Sequence, residues 1–577
     1  MKNIIIGSLA FMLIAISVPA MSQDYKALLL DSIFKNGSEV YFTFKLADKE
    51  DFHDLTRLIS IDNVRGKTVY AYANKKEFSD FLRRNLKFTI LPHPGSLLSQ
   101  SEISPGNEGN TRGDRILWSF YPTYQQYVDY MIGFASTYPG ICKLDTIGQS
   151  MQGRLILALR ISKNIGQEEE EPQFLYTSSI HGDETTGYVL MLHLIDYLLS
   201  NYGTDPTVTE ILNSTEICIN PLANPDGTYH GGNNSVYGAV RYNANDIDLN
   251  RNFPDPNAGQ HPDGNAWQVE TEAWMAYAGN NHFTMSANFH GGAEVFNYPW
   301  DTWSKLCADD DWWNFVGREW ADTVHQHGPS GYFTDLDNGV TNGYAWYEIT
   351  GGRQDYMNYW HNCREVTVEI SSVKLLPESQ LLSFWNYNYP SFLNFIKQSH
   401  YGLNGTVTDT VTSKPIAAKV FIDGHDKDFS EVYSRSTTGF YARPVYKGNY
   451  VVTFSAPGYF TKTIKNVNVS KWIATRLNVQ LRSLTYDEQD KSTISILVYP
   501  NPSDGYFRLI LPENPINPSC SIQIINTMGS IVYTSEVIRS SGNSFVEIAV
   551  PDLSNGLYFL KFNSGYRIYL DKLLIRK

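Results

Sequence analysis

The chain has 577 residues, 42% of them hydrophobic and 14% aromatic. That length suggests about three or four domains with real cores. The net charge of −14 excludes a general nucleic-acid binder, because phosphate contacts need a basic footprint.

Lys2, the apolar run 4–18 and the residues Pro19-Ala20-Met21-Ser22 predict a signal peptide over 1–22. The apolar run is too short for a comfortable membrane span, so the mature chain is expected to be exported without a transmembrane anchor. Residues 23–100 read as a small α/β unit. Strand-like alternation covers 39–46, 67–73 and 86–91, and helical spacing covers 49–58 and 75–84. The unit holds no cluster of catalytic residue types, which leaves it as a structural cap, a docking module or a prosegment. Residues 101–115 are a polar linker. It contains Thr111-Arg112-Gly113-Asp114-Arg115, a stretch open to a trypsin-like protease.

From 116 to 400, strand and helix patterns alternate, as in an α/β domain. Helices are expected at 125–138, 184–201 and 377–397, and strands at 155–161, 173–180, 216–220, 285–289 and 365–370. The implied fold is a mixed twisted sheet covered by helices on both faces. After Gly402 helical spacing disappears. Short alternating strands run over 402–482, a polar linker follows at 483–493, and a second all-β unit fills 494–577. Cys142, Cys218, Cys307, Cys363 and Cys520 show no CxxC metal spacing, and an odd number leaves at least one unpaired or joined to another chain.

Chemistry gathers where strands end. His181 and Glu184 follow the apolar strand 173–180. Imidazole plus carboxylate is a zinc-type pair, although a Glu near a helix start also complements the helix dipole. His290 closes an apolar strand and precedes Gly291-Gly292, so it is the candidate third ligand, or else a core histidine. Glu369 sits in the β-branched run 365–370, where a carboxylate needs a task or a salt-bridge partner. Arg241, Asn250 and Arg251 lie in an Asn-rich stretch suited to gripping a carboxylate or an oxyanion, or held together by its own side chains.

Taken in order and spacing, these residues resemble the metallocarboxypeptidases, and most closely their regulatory (carboxypeptidase N/E-like) branch. The resemblance covers 116–400. It rests on His181-Gly182-Asp183-Glu184, on Ser286-Ala287-Asn288-Phe289-His290-Gly291-Gly292, and on Arg241 with Asn250-Arg251. It implies one Zn2+ per chain on His181, Glu184 and His290, with Glu369 as catalytic base and Arg241 on the scissile carbonyl. Asn250 and Arg251 would bind the terminal carboxylate, under a mobile Tyr347. Asp301 resembles the residue that reads a basic terminal side chain, and Gln354 a pocket-lining glutamine. Arg353 departs from the apolar residue usual there: facing inward it would oppose basic substrates, facing outward it would be neutral. Residues 402–482 resemble the transthyretin-like sandwich of that branch. Residues 494–577 resemble the C-terminal sorting domain of the Bacteroidetes type IX secretion system, which implies that machinery as a partner and a secreted or surface-attached product. The expected function is a secreted zinc metallocarboxypeptidase acting on peptide and protein C-termini, with Lys or Arg preferred. A cell-wall peptide amidase on the same fold and a catalytically inert surface binding protein are the alternatives.

Overall fold

Residues 39–45 and 68–74 alternate buried and partly exposed side chains, the pattern of strands with one covered face. A computed structural model describes residues 15–16, 23–35, 37–46, 50–99, 102–103, 111–112, 115–484, 496–510, 520–537, 545–563 and 568–577. The predicted leader 1–22 and the linkers 101–115 and 483–493 therefore lie mostly outside the described residues. The N-terminal unit comprises α1 (Gln23–Ile33), β1 (Glu39–Lys45), α2 (Glu50–Thr56), β2 (Ser60–Arg65), β3 (Thr68–Asn74), α3 (Lys75–Arg83) and β4 (Phe88–Ile90). Its strands pair antiparallel in the order β4-β1-β3-β2, over a core that includes Phe42, Phe44, Phe78, Phe81 and Phe88. Elements α1 and β2 go beyond those read from sequence. Strand β2 is the edge of the sheet, and it faces the next domain.

That domain contains α4 (Tyr124–Thr137), β5 (Cys142–Gln149), β6 (Leu155–Ile161), β7 (Gln173–Ser178), α5 (Thr186–Asn201), α6 (Pro206–Ser214) and β8 (Glu216–Asn220). It continues with α7 (Val269–Gly279), β9 (Phe283–His290), β10 (Ala293–Tyr298), α8 (Asp310–His327), β11 (Val340–Asn342), α9 (Arg353–His361), β12 (Arg364–Ser371) and α10 (Glu378–Gln398). Its eight-stranded sheet runs β11-β10-β12-β9-β7-β8-β6-β5. The four central strands β12, β9, β7 and β8 are parallel and buried at every position, as strands covered on both faces must be. Phe174 and Tyr176 of β7 pack with α5, α6, α8 and α10. Leu175 points to the other face, with Trp274 of α7 and Met357 of α9.

Arg353, at the start of α9, is turned into that second face. Its guanidinium forms a bidentate pair with Glu365 of β12 at 2.9 and 3.1 Å, donates to Thr177 Oγ1 at 3.0 Å, and lies 4.9 Å from the centroid of the Trp274 ring. It neither faces solvent nor enters the cavity described below.

Residues 402–482 fold as two facing sheets around Leu403, Val407, Val420, Val452 and Phe454. The described strands between 497 and 575 form a three-stranded and a four-stranded sheet around their own core. The sandwich is fastened to the α/β domain by buried charges: Asp309 accepts from Arg364 at 3.0 Å and from Arg443 at 2.8 Å. Cys142, Cys218, Cys307 and Cys363 are buried free thiols. Among the described residues no helix is long and apolar enough to cross a membrane.

The Arg353→Leu variant strands the Glu365 carboxylate in the sheet interior. It is expected to destabilise the α/β domain by about 3 kcal/mol, seen as an earlier unfolding transition in a denaturant titration.

Candidate active site

Parallel strands deliver their carboxyl ends to one edge of the sheet, where open α/β folds build ligand sites. His181 and Glu184 occupy the turn after β7. His290 is the last residue of β9, and Glu369 on β12 is its register partner. The turn after β7 must pass hard against residues 227–228: a Cβ on Gly182 would stand 2.2 Å from the Gly227 carbonyl carbon. Only glycine fits there, which explains the glycine between the two ligand positions.

The three candidate ligands converge. His181 Nδ1 lies 3.0 Å from Glu184 Oε1, His290 Nδ1 lies 2.8 Å from Glu184 Oε2, and the two Nδ1 atoms are 3.1 Å apart. His181 Nε2 faces Asp248 Oδ1 at 3.1 Å. That carboxylate holds the proton on Nε2 and leaves a lone pair on Nδ1. His290 Nε2 faces the Asn288 amide at 3.0 Å, and Asn288 Oδ1 is otherwise unpartnered. Turning that amide over lets Oδ1 accept from Nε2–H and frees the second Nδ1. Burial, first of all, pushes the His290 imidazole down to about 4, so it is neutral. Two imidazole lone pairs aimed at each other beside a carboxylate repel unless a cation sits between them. The donor set, two nitrogens and one carboxylate with room for water, suits Zn2+.

Burial works against the Glu184 charge, but the Lys374 ammonium at 2.6 Å helps hold its pKa well below the usual glutamate range. Burial and the nearby Glu184 charge push Glu369 well above that range, and its Oε2 has no hydrogen-bond partner. His181, Glu184, His290, Glu369, Arg241, Asn250, Arg251, Tyr347 and Asp301 all line one cavity. Gln354 is not in its wall. Its Oε1 accepts from the Thr367 backbone N–H at 2.6 Å, which places it behind the lining residue Thr367.

Three further residues complete the charge pattern. Asp248 accepts from Arg241 Nε at 3.0 Å as well as from His181. Lys374 lies 2.6 Å from Glu184 Oε1. Asp62 of β2 reaches in from the N-terminal unit and pairs with Lys374. Asp248 belongs to the same Asn-rich stretch as Arg251, so the density of polar residues was its signal. Lys374 and Asp62 carry no motif that marks them.

A family model for zinc carboxypeptidases matches residues 127–391. Mouse carboxypeptidase M is 36% identical over 358 residues, covering 58% of this chain and 78% of that protein. The chain belongs to the zinc carboxypeptidase family. Human carboxypeptidase N catalytic chain is 33% identical over 386 residues, covering 60% of this chain and 82% of the relative. Human carboxypeptidase D is 37% identical over 383 residues, or 62% of this chain. Here the match spans only about a quarter (26%) of the relative's length. Beyond the zinc carboxypeptidase region, residues 402–482 match a carboxypeptidase regulatory-like domain and residues 497–576 a secretion system C-terminal sorting domain.

Replacing Asp248 by Ala frees the His181 ring. Zinc affinity is expected to fall by about 10- to 100-fold, as measured by competition with a chromogenic chelator.

Proposed function

We propose that the chain removes the last residue of peptides and proteins, with Lys or Arg preferred, using one Zn2+. One observation supports this above the others: a three-ligand metal set, a carboxylate base and an arginine clamp line a single cavity. The same reading divides the chain into a leader, an N-terminal unit, the catalytic domain of 116–400, a sandwich and a sorting domain.

Zinc, when bound, polarises a carbonyl oxygen and makes water a stronger acid. Glu369 takes a proton from the attacking water and returns it to the leaving amine as the C–N bond breaks. Arg241 donates to the oxygen on which negative charge develops. Arg251 and Asn250 hold the free carboxylate, and Tyr347 closes over the terminal residue. The demand for a free carboxylate confines attack to the chain end.

Asp301 supports the basic preference. It is buried in the cavity wall, close to bare backbone: a Cβ on Gly343 would stand 1.7 Å from its Oδ1. Arg353, spent on Glu365 beneath the sheet, brings no opposing charge. Burial pushes Asp301 up to about 7, against the Asn297 amide and Arg251. It is therefore protonated in mild acid and charged above neutrality.

The test is a peptide panel varied only in its terminal residue, run with and without a chelator, before and after limited trypsin treatment. Chelator-sensitive release of Arg and Lys ahead of other residues is expected. Muropeptide hydrolysis without any release from Arg-ended peptides would replace this reading with a cell-wall amidase. The Glu369→Gln variant is expected to retain zinc and lose about 10³-fold in turnover. For Arg-ended peptides kcat/KM is expected to rise with pH through about 7 as Asp301 ionises. Peptides with neutral ends should not share that rise.

A further inference from the structure

The loop between β6 and β7 carries four consecutive carboxylates, Glu168, Glu169, Glu170 and Glu171. It ends where the parallel strand β7 begins, so it lies on the edge of the sheet opposite the turn of His181 and Glu184. There the loop faces the sandwich of 402–482 across a cavity of about 750 Å3, the size of many small-molecule sites. The α/β domain lines it with the loop itself, Asn213 and His400, and the sandwich with Asn404, Thr438 and Phe440.

Three of the four carboxylates have a cation beside them. Glu168 accepts from Thr437 Oγ1 at 2.5 Å and lies 3.6 Å from Arg435 Nε. Glu169 accepts from Asn164 Nδ2 at 2.9 Å through Oε1, and its Oε2 lies 3.5 Å from Lys163 Nζ. Glu170 pairs with Arg476. Among the described residues Glu171 forms no ion pair. Its Oε1 accepts from Ser162 Oγ at 3.0 Å, while its Oε2 has no hydrogen-bond partner, although the residue is only 6% exposed and lines the cavity. Glu169 Oε2 also lacks a hydrogen bond. His400 brings no charge: burial takes its imidazole down to about 4, and its Nε2 faces the Thr215 hydroxyl at 2.7 Å.

The protein satisfies neither charge state of Glu171. Ionised, its Oε2 needs a donor; protonated, its O–H needs an acceptor. Burial pushes its pKa up, against the Ser162 hydroxyl, which is the mark of a carboxylate short of a partner. A metal ion is a poor answer. Calcium takes about six to eight oxygens, and the groups that come close enough to share an ion among the described residues lie elsewhere. A primary ammonium carries three N–H donors and a full charge, which suits free carboxylate oxygens. Asn213, Asn404 and Thr438 offer hydrogen bonds to the rest of such a molecule, beside the Phe440 ring.

We propose that this cavity binds a small primary amine with a polar body, its ammonium held by Glu171 and Glu169. Two sources share that chemistry, a lysine-type amine and an amino sugar. The occupant touches both the α/β domain and the sandwich, and it takes no part in the reaction at the other edge of the sheet.

The zinc-loaded full chain is titrated in a calorimeter with L-lysinamide, D-glucosamine and Ca2+. Neither amine has a carboxylate for Arg251 to hold. Binding of at least one amine, near one per chain, is expected. Glu171→Gln is expected to weaken it about 10-fold or more, Glu169→Gln to weaken it less, and Asp301→Asn to leave it unchanged. Lysinamide alone would identify a lysine-bearing peptide as the source and glucosamine alone an amino sugar; either supports the site. Release of Arg from a peptide stays at the unmodified chain's rate in Glu171→Gln, which also reports that this variant is folded. If that release falls, the loss in Glu169→Gln decides in its place. Amine binding that survives both glutamine variants, or that disappears in Asp301→Asn instead, would overturn the proposal. So would a calcium site in place of an amine site, or no amine binding at all.

Discussion

The structure depends on keeping many charges out of water in one small volume. Asp62, Glu184, Asp248 and Glu369 share it with Arg241, Arg251 and Lys374, and all seven are buried. Isolated buried charges cost several kcal/mol each, so such a cluster persists only when each member is paired and hydrogen-bonded. Arg241 answers Asp248, Lys374 answers Glu184 and Asp62, and two histidines point lone pairs at the gap that remains.

The catalytic sheet and the metal site were legible because their residues sit where periodicity breaks. His181, His290 and Glu369 each interrupt or end an apolar strand, and a polar group in that setting is conspicuous. Strand β2 was not legible, for a related reason. Ser60, Asp62 and Asn63 give no apolar alternation, so the segment reads as a loop. It is nonetheless a strand, covered on both faces. Its polar side chains are buried against the charged cleft of another domain rather than against a core of its own. Local pattern reports packing within a unit; it is blind to burial supplied by a partner hundreds of residues away. Asp248 and Lys374 escaped the same way, since their work is to orient or neutralise groups contributed by other elements.

Arg353 shows the limit from the other side. Position in a motif marked it as a pocket residue of either sign of consequence, inward or outward. Neither direction was taken, because the helix that starts at Arg353 packs on the sheet just where Glu365 offers a bidentate partner. The charge became a staple between α9 and β12, and the wall of the cavity was left to Asp301, Asn297 and Thr367. Among the described residues, the β-rich modules contribute no side chain to that cavity. The sandwich is tied on by Asp309, Arg364 and Arg443, so its orientation is fixed by buried ion pairs rather than by a flexible tether.

The two imidazoles of the metal set are 109 residues apart in the chain, one in the turn after β7 and one at the end of β9, its parallel neighbour. Parallel neighbours cannot be joined by a tight turn, and contacts of such long sequence separation form late in folding. Neither half of the chain can assemble the site alone. Tight metal binding is thus a timestamp: it records that the central sheet has closed, and it comes after the chain has committed to its topology.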